Sequence, residues 1–160
     1  MAYLIDGNNL TGYLFAPFLY DYQSREKVVE LLLIFQRIKR TKVTVVFDGP
    51  PQPELEEVAQ AQPKFEIIFP PPGEKADTII IELLRQRSNK RNFWVVSSDR
   101  EIRHWAHQLG FKSLTAAEFA KELKVTSKRH QRHLEYQKNA QLPTPLEIKH
   151  WSELFGKKPK

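Results

Sequence analysis

Four aspartates occupy comparable places in the chain, each after an apolar run or a loop and at a turn or helix start. They are Asp6, Asp48, Asp77 and Asp99. Carboxylate oxygens are the ligands that the hard cations Mg²⁺ and Mn²⁺ prefer, and a bound cation relieves the repulsion between neighbouring acids. Such a cation also lowers the pKa of a coordinated water and neutralises charge that develops on a phosphodiester. The four acids therefore predict a divalent-metal site suited to the hydrolysis of a phosphodiester.

Each aspartate also has a structural alternative. Asp6 and Asp48 both precede a glycine, and such pairs are common in turns. Asp77 and Asp99 stand at predicted helix starts, where an acid stabilises the positive end of the helix dipole. Taken singly, none of these positions requires a metal. The hypothesis depends on whether the fold brings them together.

The pattern of apolar runs and helical stripes predicts the elements that would position these acids. Short apolar runs predict strands over 3–5, 42–47, 65–69, 92–97 and 111–114. Helical patterns cover about 24–40, 53–62, 77–89 and 98–109, and a further helix starts near 115. The segment 10–20 is expected to form one helical turn followed by a loop. The alternation predicts an α/β fold with a parallel sheet and helices on both faces.

Three serines and threonines are predicted to begin helices. Ser24 and Ser98 are expected N-caps, and Ser98 has Glu101 three residues later, as in a capping box. Thr115 and Glu118 form a second capping box. These assignments fix where the helices on the two sheet faces should start.

The topology expected for such a chain gathers the aspartates at one edge. Right-handed crossovers place the carboxyl ends of parallel strands together, and ligands of such sheets bind beyond those ends. The strand ends after Ile5, Phe47 and Ser97 should therefore meet. Asp77 begins a helix on the same side. Glu66 lies inside the third strand, which is for that reason placed at the edge of the sheet.

Charge is distributed unevenly along the 160 residues, which carry a net charge of +6. Residues 1–120 contain 15 basic and 15 acidic residues, whereas residues 121–160 contain 10 basic and 4 acidic ones. The excess in the last segment favours a polyanionic partner. The chain has no cysteine and no apolar run of membrane-spanning length, so a cytoplasmic protein without a membrane partner is expected.

Four segments of the sequence resemble a known family. They are Tyr3-Leu4-Ile5-Asp6-Gly7-Asn8-Asn9, Val46-Phe47-Asp48-Gly49, Lys75-Ala76-Asp77 and Val95-Val96-Ser97-Ser98-Asp99-Arg100-Glu101-Ile102. Their order and element types resemble the NYN domain, in particular the YacP-like branch of the PIN-like nucleases, over about residues 2–120. The stripe from Trp151 to Phe155 also resembles the short C-terminal helix of that branch. Two positions depart from the common pattern: Asn8 stands where tyrosine is frequent, and Thr78 stands where a second acid is frequent.

The resemblance implies a fold, an activity and roles for residues. The fold would be a PIN-like three-layer α/β/α sandwich around a mostly parallel sheet of about five strands, with a C-terminal helical extension. The activity would be that of an endoribonuclease dependent on Mg²⁺ or Mn²⁺, acting in RNA processing or decay on mRNA, rRNA or tRNA, with association with the ribosome among the implied settings. Asp6, Asp77 and Asp99 would bind the metal, and Asp48 would be an auxiliary catalytic acid. Ser98 would orient Asp99 or a phosphate.

The RNA-binding residues are expected in two places. Beside the acids, Asn8 would hold the loop or touch substrate, and the other candidates are Asn9, Lys75, Ser98 and Arg100. In the basic C-terminal part of the chain, Lys121, Lys124, Lys128, Arg129 and Arg132 would contact phosphates without reading sequence. The expected division is a nuclease domain over 1–124 and a basic extension over 125–160 that ends in an amphipathic helix. Residues 126–141 within it are either a connecting helix or a flexible arm.

An RNA-binding module that keeps this fold but cleaves nothing is the alternative function. Four acids facing RNA disfavour it, because a pure binder gains nothing from negative charge beside a polyanion. RNA cleavage in the presence of metal discriminates between the two.

Overall fold

The five strands are parallel and lie in the order β3-β2-β1-β4-β5, with β1 in the centre. The computed structural model describes residues 1–15 and 22–140. The strands are β1 (Ala2–Asp6), β2 (Lys42–Val46), β3 (Phe65–Ile68), β4 (Phe93–Val96) and β5 (Lys112–Leu114). The helices are α1 (Gly7–Phe15), α2 (Tyr22–Lys39), α3 (Pro53–Gln60), α4 (Ala76–Gln86), α5 (Arg100–Gln108) and α6 (Ala116–Ala140).

The strand order explains why one edge of the sheet can form a site. From β1 the chain moves outward through β2 to β3, then returns to the other side of β1 for β4 and β5. The direction of winding changes between β1 and β4, and a crevice opens at such a switch point. We call the edge where the strands end the carboxyl edge, and the edge where they begin the amino edge.

Apolar side chains on the two faces of the sheet form two cores. On one face, α2 and α6 pack through a trio of rings, in which Phe35 lies 5.1 Å from Tyr3 and 5.0 Å from Phe119 between centroids. On the other face, α4 and α5 pack through Ile80 and Ile102. Each aromatic pair contributes about 0.5–1.5 kcal/mol beyond the burial of its area. The two central strands, β1 and β4, are nearly continuous apolar runs, as expected where both faces of a strand are covered.

Several helix starts differ from those expected. The helix α1 begins at Gly7, directly after β1, where only a turn was predicted. Ser24 is not an N-cap, because it is buried inside α2. Ser98 is not an N-cap either: Asp99 caps α5, and its side chain accepts hydrogen bonds from the backbone of Glu101 and Ile102. Serine and aspartate cap equally well, so sequence did not distinguish the two neighbours.

The capping box at the start of α6 is confirmed. The backbone N–H of Glu118 donates to the hydroxyl of Thr115 at 3.1 Å, and the backbone N–H of Thr115 donates to the Glu118 carboxylate at 3.2 Å. From there α6 runs without interruption to Ala140, so the segment that could have been an arm is helical to that point. The edge position of β3, expected from Glu66, is also confirmed.

Gly7 is required by packing. A Cβ atom at this position would lie 2.5 Å from Cδ1 of the Phe47 ring and 2.9 Å from the carbonyl oxygen of Val46. The φ of Gly7 is not positive, so the backbone conformation does not require glycine at this position. The missing side chain lets the start of α1 approach the end of β2 closely.

The chain divides into two compact units, Met1–Ser127 and Lys128–Lys160. The described part of the second unit is the helical stretch up to Ala140. None of the helices in the described residues has the length and apolarity that crossing a membrane requires. The expected terminal helix around Trp151 lies outside the described residues.

Candidate active site

Asp6 ends the central strand with a buried carboxylate at the carboxyl edge. Its Oδ1 accepts a hydrogen bond from the backbone N–H of Asn9 at 3.3 Å, and its Oδ2 accepts one from the Ser97 hydroxyl at 3.0 Å. Burial raises the pKa of Asp6 to about 6; the two hydrogen bonds lower it, and the charges of Asp48 and Asp99 raise it further. The negative potentials of three acids therefore overlap at this carboxylate.

Ser97 joins Asp6 to Asp99. Its side chain is fully buried, and while its hydroxyl donates to Asp6, the same oxygen accepts from the backbone N–H of Asp99 at 3.0 Å. Oδ1 of Asp99 accepts from the N–H groups of Glu101 at 2.8 Å and Ile102 at 3.2 Å. Within residues 1–15 and 22–140, no hydrogen bond reaches its Oδ2. One oxygen of Asp99 is thus fixed by its helix, and the other is available to a ligand.

The two asparagines hold the loops that follow the neighbouring strands. The side-chain oxygen of Asn8 accepts from the N–H of Asp48 at 3.0 Å, and that of Asn9 accepts from the N–H of Ser98 at 2.8 Å. Of the two roles expected for Asn8, holding the loop is therefore the one observed. Because each oxygen is used in this way, both amide NH₂ groups are turned away from the backbone they hold.

Asp48 fixes the beginning of α4. Its Oδ1 accepts from the backbone N–H of Ala76 at 2.6 Å, whereas Lys75, at the N-cap position, provides no side-chain hydrogen bond. An acid from another strand thus satisfies a donor that a local cap normally satisfies. Gly49 follows with a φ of +93°, which a residue with a side chain would adopt only with strain. Asp48 is both a turn residue and a long-range cap.

Asp77 lies next to Ala76 in the first turn of α4 and is half-buried. Its Oδ1 accepts from the N–H of the following residue, Thr78, at 2.8 Å. Among the described residues, no three histidine, aspartate or glutamate side chains stand close enough together to hold a metal ion. The four aspartates lie at one edge of the sheet, but their carboxylates are not gathered into a ready set of three ligands.

Donor chemistry at this edge nevertheless suits a hard divalent cation. All the candidate ligands are carboxylates, and the buried one has a raised pKa because its charged form lacks solvation and faces like charges. A cation beside Asp6 would stabilise that charged form. The Oδ2 of Asp99 would be the second candidate ligand, since Ser97 connects Asp6 to the backbone of Asp99.

The remaining predicted site residues lie either at the carboxyl edge or on α6. Lys75 and Arg100 are exposed at the first residues of α4 and α5, where they flank the acids. The hydroxyl of Ser98 accepts from the N–H of Ala116 at 3.0 Å, so it holds the start of α6. Of the two serines, the buried Ser97 is the one that holds the backbone of Asp99. A contact of Ser98 with a phosphate, the other role expected for it, stays a prediction. The basic residues of α6, Lys121, Lys124, Lys128, Arg129 and Arg132, are exposed.

Sequence reasoning also missed Arg25. This arginine is 4% exposed, and its guanidinium donates to the carbonyl oxygens of Asp48 and Pro50. The same group lies over the rings of Phe47 and Phe69, at 5.6 and 5.8 Å from their centroids. It therefore fixes the loop that carries Asp48. A signal existed, because Arg25 stands on the apolar face of α2, three and four residues before Val28 and Val29.

Comparison with known proteins identifies the family. The model of the YacP-like NYN domain matches residues 3–154. The chain belongs to this family. Two crystal structures share the fold of this YacP-like NYN domain. Rae1 (YacP) from Bacillus subtilis is 24% identical, with a TM-score of 0.69 over 96% of this chain and 88% of the Rae1 chain. A point mutant of Rae1 is 21% identical, with a TM-score of 0.67 over 92% of this chain and 88% of the mutant chain.

The expected PIN-like α/β/α architecture is thereby confirmed, with its five-stranded parallel sheet. None of the curated proteins compared with this YacP-like NYN domain matches it. The roles of individual residues consequently depend on the geometry described above.

Proposed function

We propose that this YacP-like NYN domain is an endoribonuclease that hydrolyses RNA phosphodiester bonds with Mg²⁺ or Mn²⁺. The hydrogen-bonded series Asp6–Ser97–Asp99 is the observation that supports the proposal most strongly. It joins a buried acid of raised pKa to an acid with a free oxygen, at the switch point of a parallel sheet. Fixed carboxylates of this kind are costly for stability, and binding a divalent cation is what would offset the cost.

The residues divide into those that would hold the metal and those that would position them. Asp6 and Asp99 would be ligands, and Asp77 would join them from α4. When bound, the metal supplies Lewis-acid chemistry at the phosphate and a water of lowered pKa. Ser97 keeps Oδ2 of Asp6 and the backbone of Asp99 in a fixed relation. Asp48 is a positioning residue, because it holds the first turn of α4.

Substrate would be held by cations and amide groups around these acids. Lys75 and Arg100 are exposed at the helix starts that flank the site, where they would contact phosphates on either side of the scissile bond. The side-chain NH₂ groups of Asn8 and Asn9 would donate to RNA oxygens, since their own oxygens are already used. RNA bound to the ribosome is one setting in which such a substrate would be met.

A cleavage assay tests the proposal. The full chain is incubated with a mixed pool of RNA and Mg²⁺, Mn²⁺ or EDTA, beside Asp6→Asn, Asp99→Asn and the matched control Glu66→Gln on the edge strand. We expect both aspartate variants to cleave on the order of 100-fold more slowly or worse, because each would remove a ligand of the cation that stabilises the negatively charged transition state. The control should cleave like the unchanged protein, and EDTA should abolish cleavage.

The non-catalytic RNA-binding module is the second candidate, and one observation favours it. No set of three metal ligands is gathered among the described residues. If the unchanged protein binds RNA but leaves it as intact as the two aspartate variants do, with either metal, the nuclease proposal is wrong and this candidate takes its place.

A further inference from the structure

The charges of residues 1–120 cancel in number but are separated in space. Ten of the fifteen lysines and arginines in this range lie in four segments, 37–42, 64, 85–91 and 112, which contain no acidic residue. Each segment leads from the end of a helix into the start of a strand. All four therefore lie at the amino edge, opposite the aspartates, and nine of the ten side chains are exposed. The sheet carries opposite charge at its two edges.

The segment 85–91, between α4 and β4, is the densest part of this surface. Arg85, Arg87, Lys90 and Arg91 lie within seven residues. Cations in the last turn of a helix stabilise its dipole, and that effect is confined to the last turn. Lys90 and Arg91 lie beyond the end of α4 at Gln86, so the dipole does not account for them.

Contacts with aromatic rings hold these cations in place. The guanidinium of Arg87 lies 4.0 Å from the centroid of Phe93, and that of Arg85 lies 4.3 Å from that of Trp105. The ammonium of Lys90 lies 5.6 Å from the Phe111 centroid, and Nε of Arg87 donates to the carbonyl oxygen of Asn89 at 2.8 Å. A surface ordered before binding loses less conformational entropy when a partner binds.

The cation–ring contacts indicate what this surface binds. A guanidinium in contact with a ring keeps N–H donors that match phosphate oxygens. The rings, however, are covered by the cations and cannot stack on bases. Single-stranded RNA is bound largely through such stacking, whereas duplex RNA is recognised through its shape and its backbone.

We propose that the amino edge binds the phosphate backbone of a double-helical RNA segment, remote from the strand that is cut at the carboxyl edge. This rests on the proposed function only for the choice of RNA as the polyanion. The two edges are separated by a strand of five residues, or roughly 16 Å. A single strand of about two or three nucleotides seated at the acids is too short to extend over the amino edge, whereas a structured RNA extends to it.

Binding is measured in EDTA, so that the result does not depend on cleavage. The full chain and the triple variant Arg85→Gln/Lys90→Gln/Arg91→Gln are titrated with a fluorescent RNA hairpin and with a short single-stranded RNA, over a range of salt concentrations. We expect the hairpin affinity to fall about tenfold or more and the salt slope to decrease by about 2–3, because each cation displaces roughly one counterion from the RNA. The short strand should bind unchanged.

Two further variants keep the result interpretable. Arg85→Lys/Lys90→Arg/Arg91→Lys preserves charge and should retain hairpin affinity and salt slope. Lys90→Gln/Arg91→Gln changes exposed side chains outside the helix and should lower the salt slope by about two-thirds as much as the triple variant. This double variant carries the test if the triple variant folds poorly. An unchanged hairpin affinity and slope in the folded double variant overturns the proposal, as does an equal loss for the hairpin and the short strand. Metal-dependent cleavage of the short strand reports on the proposed function separately.

Discussion

The two edges of the sheet hold their charges in different ways. At the carboxyl edge, acids of one sign are brought together and connected by hydrogen bonds from residues distant in sequence, as in the pair formed by Asp6 and Ser97. At the amino edge, the cations lie on the surface, and four of them contact rings, as Arg87 does with Phe93. The first arrangement raises a pKa and joins distant parts of the chain by hydrogen bonds, whereas the second consists of cation–ring contacts at the surface. We therefore expect substitutions at the carboxyl edge to have far larger effects.

The largest effect on stability is expected from the buried acid. The pKa of Asp6 is raised from 3.8 to about 6 in the folded protein, so well below pH 3.8 the acid is protonated in both states and costs nothing. As pH rises from 3.8 to about 6, the unfolded state ionises while burial keeps the acid of the folded state protonated, and stability is lost over this range. Asp6→Asn should then stabilise the metal-free protein by up to about 3 kcal/mol at pH 7 and by little at pH 4.

Urea denaturation at the two pH values, in EDTA, measures this difference. Glu66→Gln on the exposed part of β3 is the control and should change neither value. A gain from Asp6→Asn that is the same at pH 4 and pH 7 would mean that the raised pKa does not limit stability.

The close approach of α1 to β2 can be tested by filling the space at Gly7. Gly7→Ala places a methyl group 2.5 Å from the Phe47 ring, so we expect a loss of about 1–3 kcal/mol in the free energy of unfolding. Combining it with Phe47→Leu should cost less than the two single substitutions together, because the smaller side chain removes the clash. Strict additivity in urea denaturation would contradict the steric explanation.

The hydroxyl between the two acids should affect catalysis more than binding. Ser97→Ala removes the donor to Asp6 and the acceptor for the backbone of Asp99, and cleavage should slow by about 10- to 100-fold. Since this hydrogen bond lowers the pKa of Asp6, its loss should move the acidic limb of the pH–rate profile to higher pH. Ser97→Thr should restore both rate and profile, and RNA affinity should be unchanged in either variant. If the cleavage rate of Ser97→Ala falls by the same factor at every pH, Ser97 contributes through packing alone.

Smaller losses are expected where the asparagines hold the loops. Asn8→Ala deprives the N–H of Asp48 of its acceptor, and Asn9→Ala does the same to Ser98. Each substitution should lower the free energy of unfolding by about 1 kcal/mol, because one backbone donor is left unpaired. Hydrogen exchange at these two amides provides the measurement, with faster exchange expected only at the amide whose partner was removed.

The smallest effect on stability is expected at the amino edge. Lys90→Gln/Arg91→Gln changes two exposed side chains and should alter the free energy of unfolding by no more than about 0.5 kcal/mol. Thermal unfolding of this double variant and of Asn8→Ala compares the two edges directly. If the double variant loses as much stability as Asn8→Ala, the two edges do not differ in this respect.

Sequence alone predicted the parts of this fold that local patterns determine. Short apolar runs gave the five strands, and the rule for crossovers placed the ends of β1, β2 and β4 at one edge. Contacts between distant segments were not predictable in this way. The bond from Arg25 to the loop after β2 spans 23 residues, and an arginine in an amphipathic helix is normally assigned to solvent. Ser97 was overlooked because its exposed neighbour matched a capping pattern.

The bond between Asp6 and Ser97 also constrains when the site can form during synthesis. The two residues are 91 positions apart, and the central strand needs β2 and β4 as its neighbours. At 5–20 residues per second, roughly 5–18 s separate the appearance of these two residues on the ribosome. Until then, the first acid emerges without the hydroxyl that orients it. A nascent chain of this protein therefore carries no assembled Asp6–Ser97–Asp99 series until synthesis is well advanced.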